Sequence, residues 1–193
     1  MTYKTYLIFG PPGSGKGTQG KCLGSIPRFF HFACGDVFRS LDTRTPLGQA
    51  FLEYSSRGEL VPDELTVKLW QSRIENMVEA SLFKPDIDAL VLDGIPRNVR
   101  QAELLAEKAQ IAKVFHLTCP DRSVLATRIK RRAISNNRLE DASDEVIQQR
   151  LAMYELTTKP VLDYFDPNLI HHIDAMQSPA KVLFDILKEI VHE

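Results

Sequence analysis

Nine residues, Gly10-Pro11-Pro12-Gly13-Ser14-Gly15-Lys16-Gly17-Thr18, constrain this chain more than any other stretch of it. They follow the apolar run Tyr6-Leu7-Ile8-Phe9 and lead into a helical pattern from Gly15 to about Leu23. That order reads as a buried strand stopped by turn residues and re-entered as a helix. In such a turn successive backbone N–H groups converge on a polyphosphate. The helix behind it aims its positive dipole end at the same place, and Lys16 reaches the β- and γ-phosphates. The strict pattern has Ser or Thr directly after the lysine, whereas here Gly17 precedes Thr18. That spacing disfavours the GTPase and motor branches, in which the hydroxyl binds Mg²⁺ directly. The loop specifies a nucleotide but not a reaction.

The rest of the chain alternates short apolar runs with helical patterns. Runs at 29–33, 89–92, 114–117 and 169–170 are expected strands. Leu65, Leu69, Ile74 and Met77/Val78 mark one helix stripe, and Ala102, Leu105, Ala106 and Ala109 another. Ser178-Pro179 is an N-cap and first-turn pair ahead of Val182, Leu183, Ile186, Leu187, Ile190 and Val191. Strands alternating with helices predict an α/β fold with a parallel sheet covered on both faces. Cys34 to Leu60 and the basic stretch Arg128 to Arg138 look less like core.

Composition excludes several classes. With 24 Lys plus Arg against 25 Asp plus Glu, the formal charge of −1 argues against a nucleic-acid coating protein. At 44% hydrophobic and 25% charged residues, global disorder is not expected. No apolar run approaches the roughly 20 residues of a membrane span, and the start, Met1-Thr2-Tyr3-Lys4, is expected to hold no signal peptide. Cys22, Cys34 and Cys119 are isolated, so neither a disulfide framework nor a zinc site is indicated, and a cytoplasmic setting is expected. Cys22 and Cys119 read as small buried residues, Trp70 as packing, and Asp166-Pro167-Asn168 as a turn. His171-His172, after an expected strand, lack the further ligands a metal site needs.

The segment Gly-Pro-Pro-Gly-Ser-Gly-Lys-Gly-Thr-Gln at 10–19 closely resembles the nucleoside monophosphate kinases, particularly the adenylate kinases. The resemblance recurs in order: Cys34-Gly35-Asp36-Val37-Phe38-Arg39, then Gly58-Glu59-Leu60-Val61-Pro62-Asp63, then Asp93-Gly94-Ile95-Pro96-Arg97 with Gln101. It continues through Arg128, Arg132, Arg138, Asp141 and Arg150-Leu151 and covers essentially the whole chain. It implies a P-loop NTPase fold, three-layer α/β/α with a five-stranded parallel sheet. The chain would be one core, 1–193, carrying a helical monophosphate-binding insert at 35–64 and a short lid at 131–141. It further implies a monomeric, Mg²⁺-dependent enzyme of nucleotide biosynthesis that moves a phosphoryl group from ATP to AMP, with no structural zinc and no nucleic-acid or membrane partner.

Such a transfer needs positioning and charge neutralisation more than covalent chemistry. The acceptor is a phosphate oxygen already partly deprotonated at neutral pH, so no His or Cys nucleophile is sought. By resemblance, Gly13, Ser14, Gly15, Lys16, Gly17 and Thr18 hold the ATP phosphates, and Arg128 lies against the ATP base. Arg39 and Arg97 hold the acceptor phosphate. Arg132, Arg138 and Arg150 embrace the transferring group with Lys16 and Arg97. Arginine suits these places because its planar fork donates bidentate hydrogen bonds to phosphate. Lys130 and Arg131 offer competing registers for Arg128 and Arg132.

Asp93, closing the run Ala89 to Leu92, is expected at a strand's carboxyl end, where it can orient Mg²⁺ through water. Asp36 is expected to be structural support for the helix carrying Arg39. Gly58, Leu60 and Val61, with Cys34 and Gly94, would wall the AMP pocket. Gln101, four residues after Arg97, stands where the adenylate kinases read the adenine edge and the pyrimidine-specific relatives carry Asn. An amide pairs bidentately with adenine's donor and acceptor. Cys34 stands where the family usually has Thr, a stronger hydrogen-bonding group. In the lid, Ala133 replaces a usual glycine, Asn136-Asn137 a Ser-Gly turn, and Glu140-Asp141 an Asp-Asp pair. Asn tolerates the left-handed backbone a turn requires.

Three alternatives remain at this level: UMP, CMP or another monophosphate as acceptor, a nucleotide-binding regulator without transfer, and a small-molecule kinase of the shikimate kinase type. The last would not need the Asp-Gly-Ile-Pro-Arg segment beside Gln101. Both covering segments, 35–64 and 131–141, are expected to move against the sheet so that water does not compete for the γ-phosphoryl group.

Overall fold

A computed structural model describes residues 2–135 and 143–191. The lid positions Asn136, Asn137, Arg138, Glu140 and Asp141 therefore lie outside the described residues. In chain order the elements are β1 (Tyr3–Phe9), α1 (Lys16–Gly24), β2 (Phe29–Ala33), α2 (Cys34–Arg39), α3 (Pro46–Ser56), α4 (Asp63–Glu79), β3 (Ala89–Asp93) and α5 (Val99–Ala106). There follow β4 (Ala109–Thr118), α6 (Arg122–Ser135), α7 (Asp144–Met153), a π-helical turn (Tyr154–Thr158), 3-10 turns (Lys159–Tyr164 and Pro167–Leu169), β5 (Ile170–Asp174) and α8 (Pro179–Val191).

The five strands form one parallel sheet in the order β2-β3-β1-β4-β5. Register places Ile8 opposite Asp93, Phe9 opposite His116 and Ala33 opposite Asp93, so the carboxyl ends share one rim. The register of β4 slips between Thr5 and Tyr6, skipping Ala112.

Alternation along the strands splits the core in two, because successive side chains point to opposite faces. Leu7, Phe9, Leu90, Leu92 and Val114 meet Trp70, Ile74 and Phe83 on one face. Tyr6, Ile8, Val91, Phe115 and Leu117 meet Leu23 of α1 and Val182 and Ile186 of α8 on the other. Helices thus cover both faces, the layering expected of the α/β class. A third, smaller cluster joins Leu125 and Ile129 of α6 to Ile147 and Leu151 of α7.

Several boundaries follow from local chemistry. Ser178 Oγ accepts from Lys181 N at 3.3 Å ahead of Pro179, so α8 starts where the cap and the proline set it. Thr45, Asn98 and Ser143 cap α3, α5 and α7 in the same way. Asp166-Pro167-Asn168 opens a 3-10 turn capped by Asp166. His171 and His172 lie within β5, which runs from Ile170 to Asp174 beyond its apolar letters, because its edge position tolerates polar residues.

Trp70 is almost wholly buried, as packing requires. Other expectations fail: Ala109, placed on a helix stripe by its spacing, begins β4, Ala106 is exposed at the end of α5, and two more residues lie on the wrong helical phase. Cys22 is exposed, because α1 buries Gln19, Gly20 and Leu23. Leu65 is exposed too, since α4 turns Thr66, Val67, Trp70 and Ile74 inward. Cys119 is only partly covered. Among the described residues no helix is long and apolar enough to cross a membrane.

Candidate functional site

At the carboxyl rim of the sheet opens a cleft of about 580 Å³, a size suited to a small-molecule site. Its floor is the loop between β1 and α1. Gly13 has φ +84, and a Cβ there would press to 2.8 Å from the Leu125 carbonyl. Gly15 has φ +99 and caps α1 without any side-chain hydrogen bond. The first turn of α1 therefore keeps its N–H groups for an anion, as a phosphate loop requires.

Lys16 Nζ donates to the Gly10 and Pro11 carbonyls at 2.7 and 3.0 Å. Desolvation pulls this ammonium down to about 8, against the pull of Asp93 in the other direction; Arg97, Arg132 and Arg150 push it further down. Three arginines, from α6, α7 and the loop after β3, thus share the field of this one lysine.

Of the residues expected at the ATP side, Gly13, Ser14, Gly15, Lys16, Gly17, Thr18 and Arg128 all line the cleft. Arg128 donates to the Ala175 carbonyl at 2.9 Å, which lays it along the loop after β5. Lys130 pairs instead with Asp144 at 2.6 Å and Arg131 is exposed, so helical phase turns Arg128 and Arg132 to the cleft. Of the segment expected as a lid, 131–135 is the end of α6. Arg150 reaches the cleft from α7, and Arg138 lies outside the described residues.

On the opposite side the cleft is lined by Cys34, Arg39, Gly58, Leu60, Val61, Gly94, Arg97 and Gln101. Arg39 is tied to Asp36 at 2.6 Å within α2, so Asp36 steadies it rather than capping the helix. Phe38 and Phe51 stack with centroids 5.3 Å apart and give this side an aromatic wall. Arg97 Nε donates to the Gly94 carbonyl at 2.9 Å, after a cis Ile95–Pro96 bond. Burial draws its guanidinium down, while Cys34 and Asp93 draw it up. The buried Cys34 thiol is pushed up to about 12 and stays protonated. Gln101 is almost fully buried; its Oε1 accepts from Arg97 N and its Nε2 donates to Asp63, each at 2.8 Å.

Asp93 ends β3 beside the loop. A Cβ at Gly17 would sit 3.4 Å from Asp93 Oδ2, so the glycine leaves that carboxylate open toward the loop. Ser14 Oγ, elsewhere in the phosphate loop, is buried without a hydrogen-bond partner. A carboxylate left open beside the phosphate loop fits a hydrated divalent cation. Among the described residues no group of three or more His, Cys, Asp or Glu could hold a metal on its own.

Sequence reasoning missed a set of residues behind the cleft. Tyr154 and Thr158, at the two ends of the π turn, line it. Tyr154 Oη meets His116 Nε2 at 2.9 Å, and His116 Nδ1 meets His172 Nδ1 at 3.0 Å. Desolvation, with His172 next, pulls His116 down to about 4, so the pair is uncharged at His116 near neutral pH. Thr158 Oγ1 donates to the Arg97 carbonyl at 2.9 Å. Ala175, Gln177 and Pro179, after β5, line the cleft on the side of Arg128. No local motif marks these positions, although a π turn beside a site is a structural signal of its own.

With this geometry in place, comparison with known proteins is direct. The family model described as adenylate kinase matches residues 8–170. An adenylate kinase of Cyanothece sp. is 40% identical over 188 residues, covering 93% of this chain and 91% of that protein. Adenylate kinase 1 of Nostoc sp. is 36% identical, covering 94% and 96%, and an adenylate kinase of Mycoplasma pneumoniae is 31% identical, covering 97% of each. A phosphate loop, an arginine-lined cleft and near-complete alignment with these relatives agree that the chain belongs to the adenylate kinase family.

Proposed function

We propose that this chain catalyses Mg²⁺-dependent transfer of the γ-phosphoryl group of ATP to AMP, giving two ADP. The observation that carries the reading is the gathering of Lys16, Arg39, Arg97, Arg128, Arg132 and Arg150 around one cleft above a phosphate loop. A triphosphate facing a monophosphate repels itself unless cations stand between them. By the same reading the enzyme works as a cytoplasmic monomer.

The chain's own groups divide the work. The N–H groups of 13–18 and the α1 terminus bind the ATP phosphates. Lys16 exchanges the carbonyls of Gly10 and Pro11 for phosphate oxygens, trading neutral acceptors for charged ones that bind more strongly. Arg128 holds the donor base against the 175–179 loop, while Arg39 and Arg97 hold the acceptor phosphate. Arg132 and Arg150, with Arg138, stabilise the charge on the transferring group. Gln101 reads adenine against the wall of Phe38, Leu60 and Val61. Asp93 would hold Mg²⁺ through water; bound there, the ion neutralises charge shared between the β- and γ-phosphates. No side chain need take a proton from the acceptor, which attacks as an oxyanion.

An initial-rate panel with ATP–Mg²⁺ and each of AMP, UMP, CMP and GMP tests the proposal. Turnover with AMP well above the others is expected. Comparable rates with CMP and AMP would overturn the adenine assignment, and no turnover with any acceptor would overturn transfer itself.

A further inference from the structure

We propose that Asp63 is a specificity-determining positioning residue, which sets the orientation of the Gln101 amide and thereby the choice of a 6-amino purine over a 6-oxo purine. This rests on Gln101 being the base reader proposed above. A glutamine amide has a carbonyl end and an NH₂ end of nearly the same shape, and only its neighbours decide which end faces where. Here the neighbours are unambiguous. Arg97 N–H can only donate, and it meets Gln101 Oε1 at 2.8 Å. The ionised Asp63 carboxylate can only accept, and its Oδ1 meets Gln101 Nε2 at 2.8 Å. Reversing the amide would put NH₂ against N–H and carbonyl against carboxylate.

Asp63 is itself held in place. Its Oδ1 also accepts from Asn98 Nδ2 at 2.8 Å, while Asn98 Oδ1 caps α5 by accepting from Gln101 N at 2.8 Å. At the first residue of α4, its charge also faces the positive end of that helix. The network leaves Gln101 one amide hydrogen and one carbonyl lone pair. Adenine offers the complement, an amino donor at C6 beside a ring-nitrogen acceptor. Hypoxanthine offers the reverse at C6 and N1, an acceptor beside a donor. An amide free to turn over would serve either base; an amide fixed by Asp63 serves one.

The test compares AMP with inosine monophosphate, by calorimetric dissociation constants and initial rates, in the wild type and in Asp63→Asn, Asp63→Glu and Gln101→Leu. Asp63→Asn keeps the shape and admits a donor, so AMP binding should weaken by about tenfold, the scale of one charged hydrogen bond. The AMP-to-IMP preference should fall by a similar factor, with the ATP KM unchanged. Asp63→Glu remains acceptor-only and should keep the preference even if AMP binds less well, which a purely structural role for Asp63 does not predict. Should Asp63→Asn not fold, Asp63→Ser, which can donate as well as accept, replaces it. If Gln101→Leu weakens AMP binding but Asp63→Asn leaves the preference intact, the role of Asp63 is overturned and the Gln101 reading stands. If Gln101→Leu leaves both AMP binding and the preference unchanged, the Gln101 reading falls and the inference with it.

Discussion

Lys16 is a cation held by two neutral carbonyls, Gly10 and Pro11, half-buried at the floor of the cleft. Its pKa near 8 instead of 10.5 has two consequences of opposite sign. In the free enzyme the phosphate-seeking charge is lost as pH rises through about 8, so kcat/KM for ATP should fall above that point, by about tenfold per pH unit. Between about 8 and 10.5 the unfolded chain carries a proton here that the folded chain lacks, so this residue's contribution to stability should rise with pH. Thermal midpoints of wild type and Lys16→Met across pH 7–10.5 separate the two. A difference between them that does not change with pH would contradict the depressed value. Individual residues were unequally legible in the sequence. The phosphate loop could be named because strand, turn and lysine are contiguous, and Gln101 because it keeps a fixed distance from Arg97. Asp63 carries its proposed role through a contact 38 residues away in the chain, which no spacing rule displays. The meeting of His116, Tyr154 and His172 is hidden for the same reason, each coming from a different element.

The segment after α7 acts as a strut between two arginines. Ser143 starts α7 as its cap and Arg150 lies in its last turn. The π turn then runs from Tyr154, fastened to His116 of β4, to Thr158, fastened to the Arg97 carbonyl. One end thus sets where Arg150 can reach, and the other where Arg97 sits. Tyr154→Phe removes the first fastening with little change in volume. It should lower kcat by roughly tenfold to a hundredfold, the cost of small misplacements in positioned reactions, while KM for both nucleotides changes little. Unchanged kcat in a folded Tyr154→Phe enzyme would show that the strut does not set Arg150. Other elements were read well where letters carry their own boundaries, as Ser178-Pro179 does for α8. They were read less well where phase decides: Cys22 and Leu65 are each one helical step from a buried neighbour, and that step turns a side chain by about 100°.

Across the molecule, one rim collects the ends of five strands, and every expected site residue among the described ones lies along it. The fold class was legible because alternating apolar runs and helical stripes admit few arrangements, whereas strand order was not, since pairing depends on contacts between distant segments. The proposed closure belongs to this scale. Segment 35–64 carries α2 and α3, joined by the Phe38–Phe51 stack, and 131–141 begins as the tip of α6. Segment 35–64 and the described part of the other, 131–135, border the cleft, where docking onto nucleotide would exclude water. Small-angle scattering should show a smaller radius of gyration with AMP and a non-hydrolysable ATP analogue together than with either alone. An unchanged radius with both bound would rule out closure on this scale.

The π turn also works as a ruler that any insertion or deletion would misread. It holds a residue more than an α-helical path would need, and the surplus keeps Arg150 and the Arg97 carbonyl in step. Excising one residue between Tyr154 and Thr158 would let the helix run straight, rotating everything before it by about 100°. Arg150 would still be present in the sequence and would be expected to point away from the cleft. In such a deletion variant the chain would keep the letter of Arg150 and lose its reach into the cleft, a loss that kcat would report.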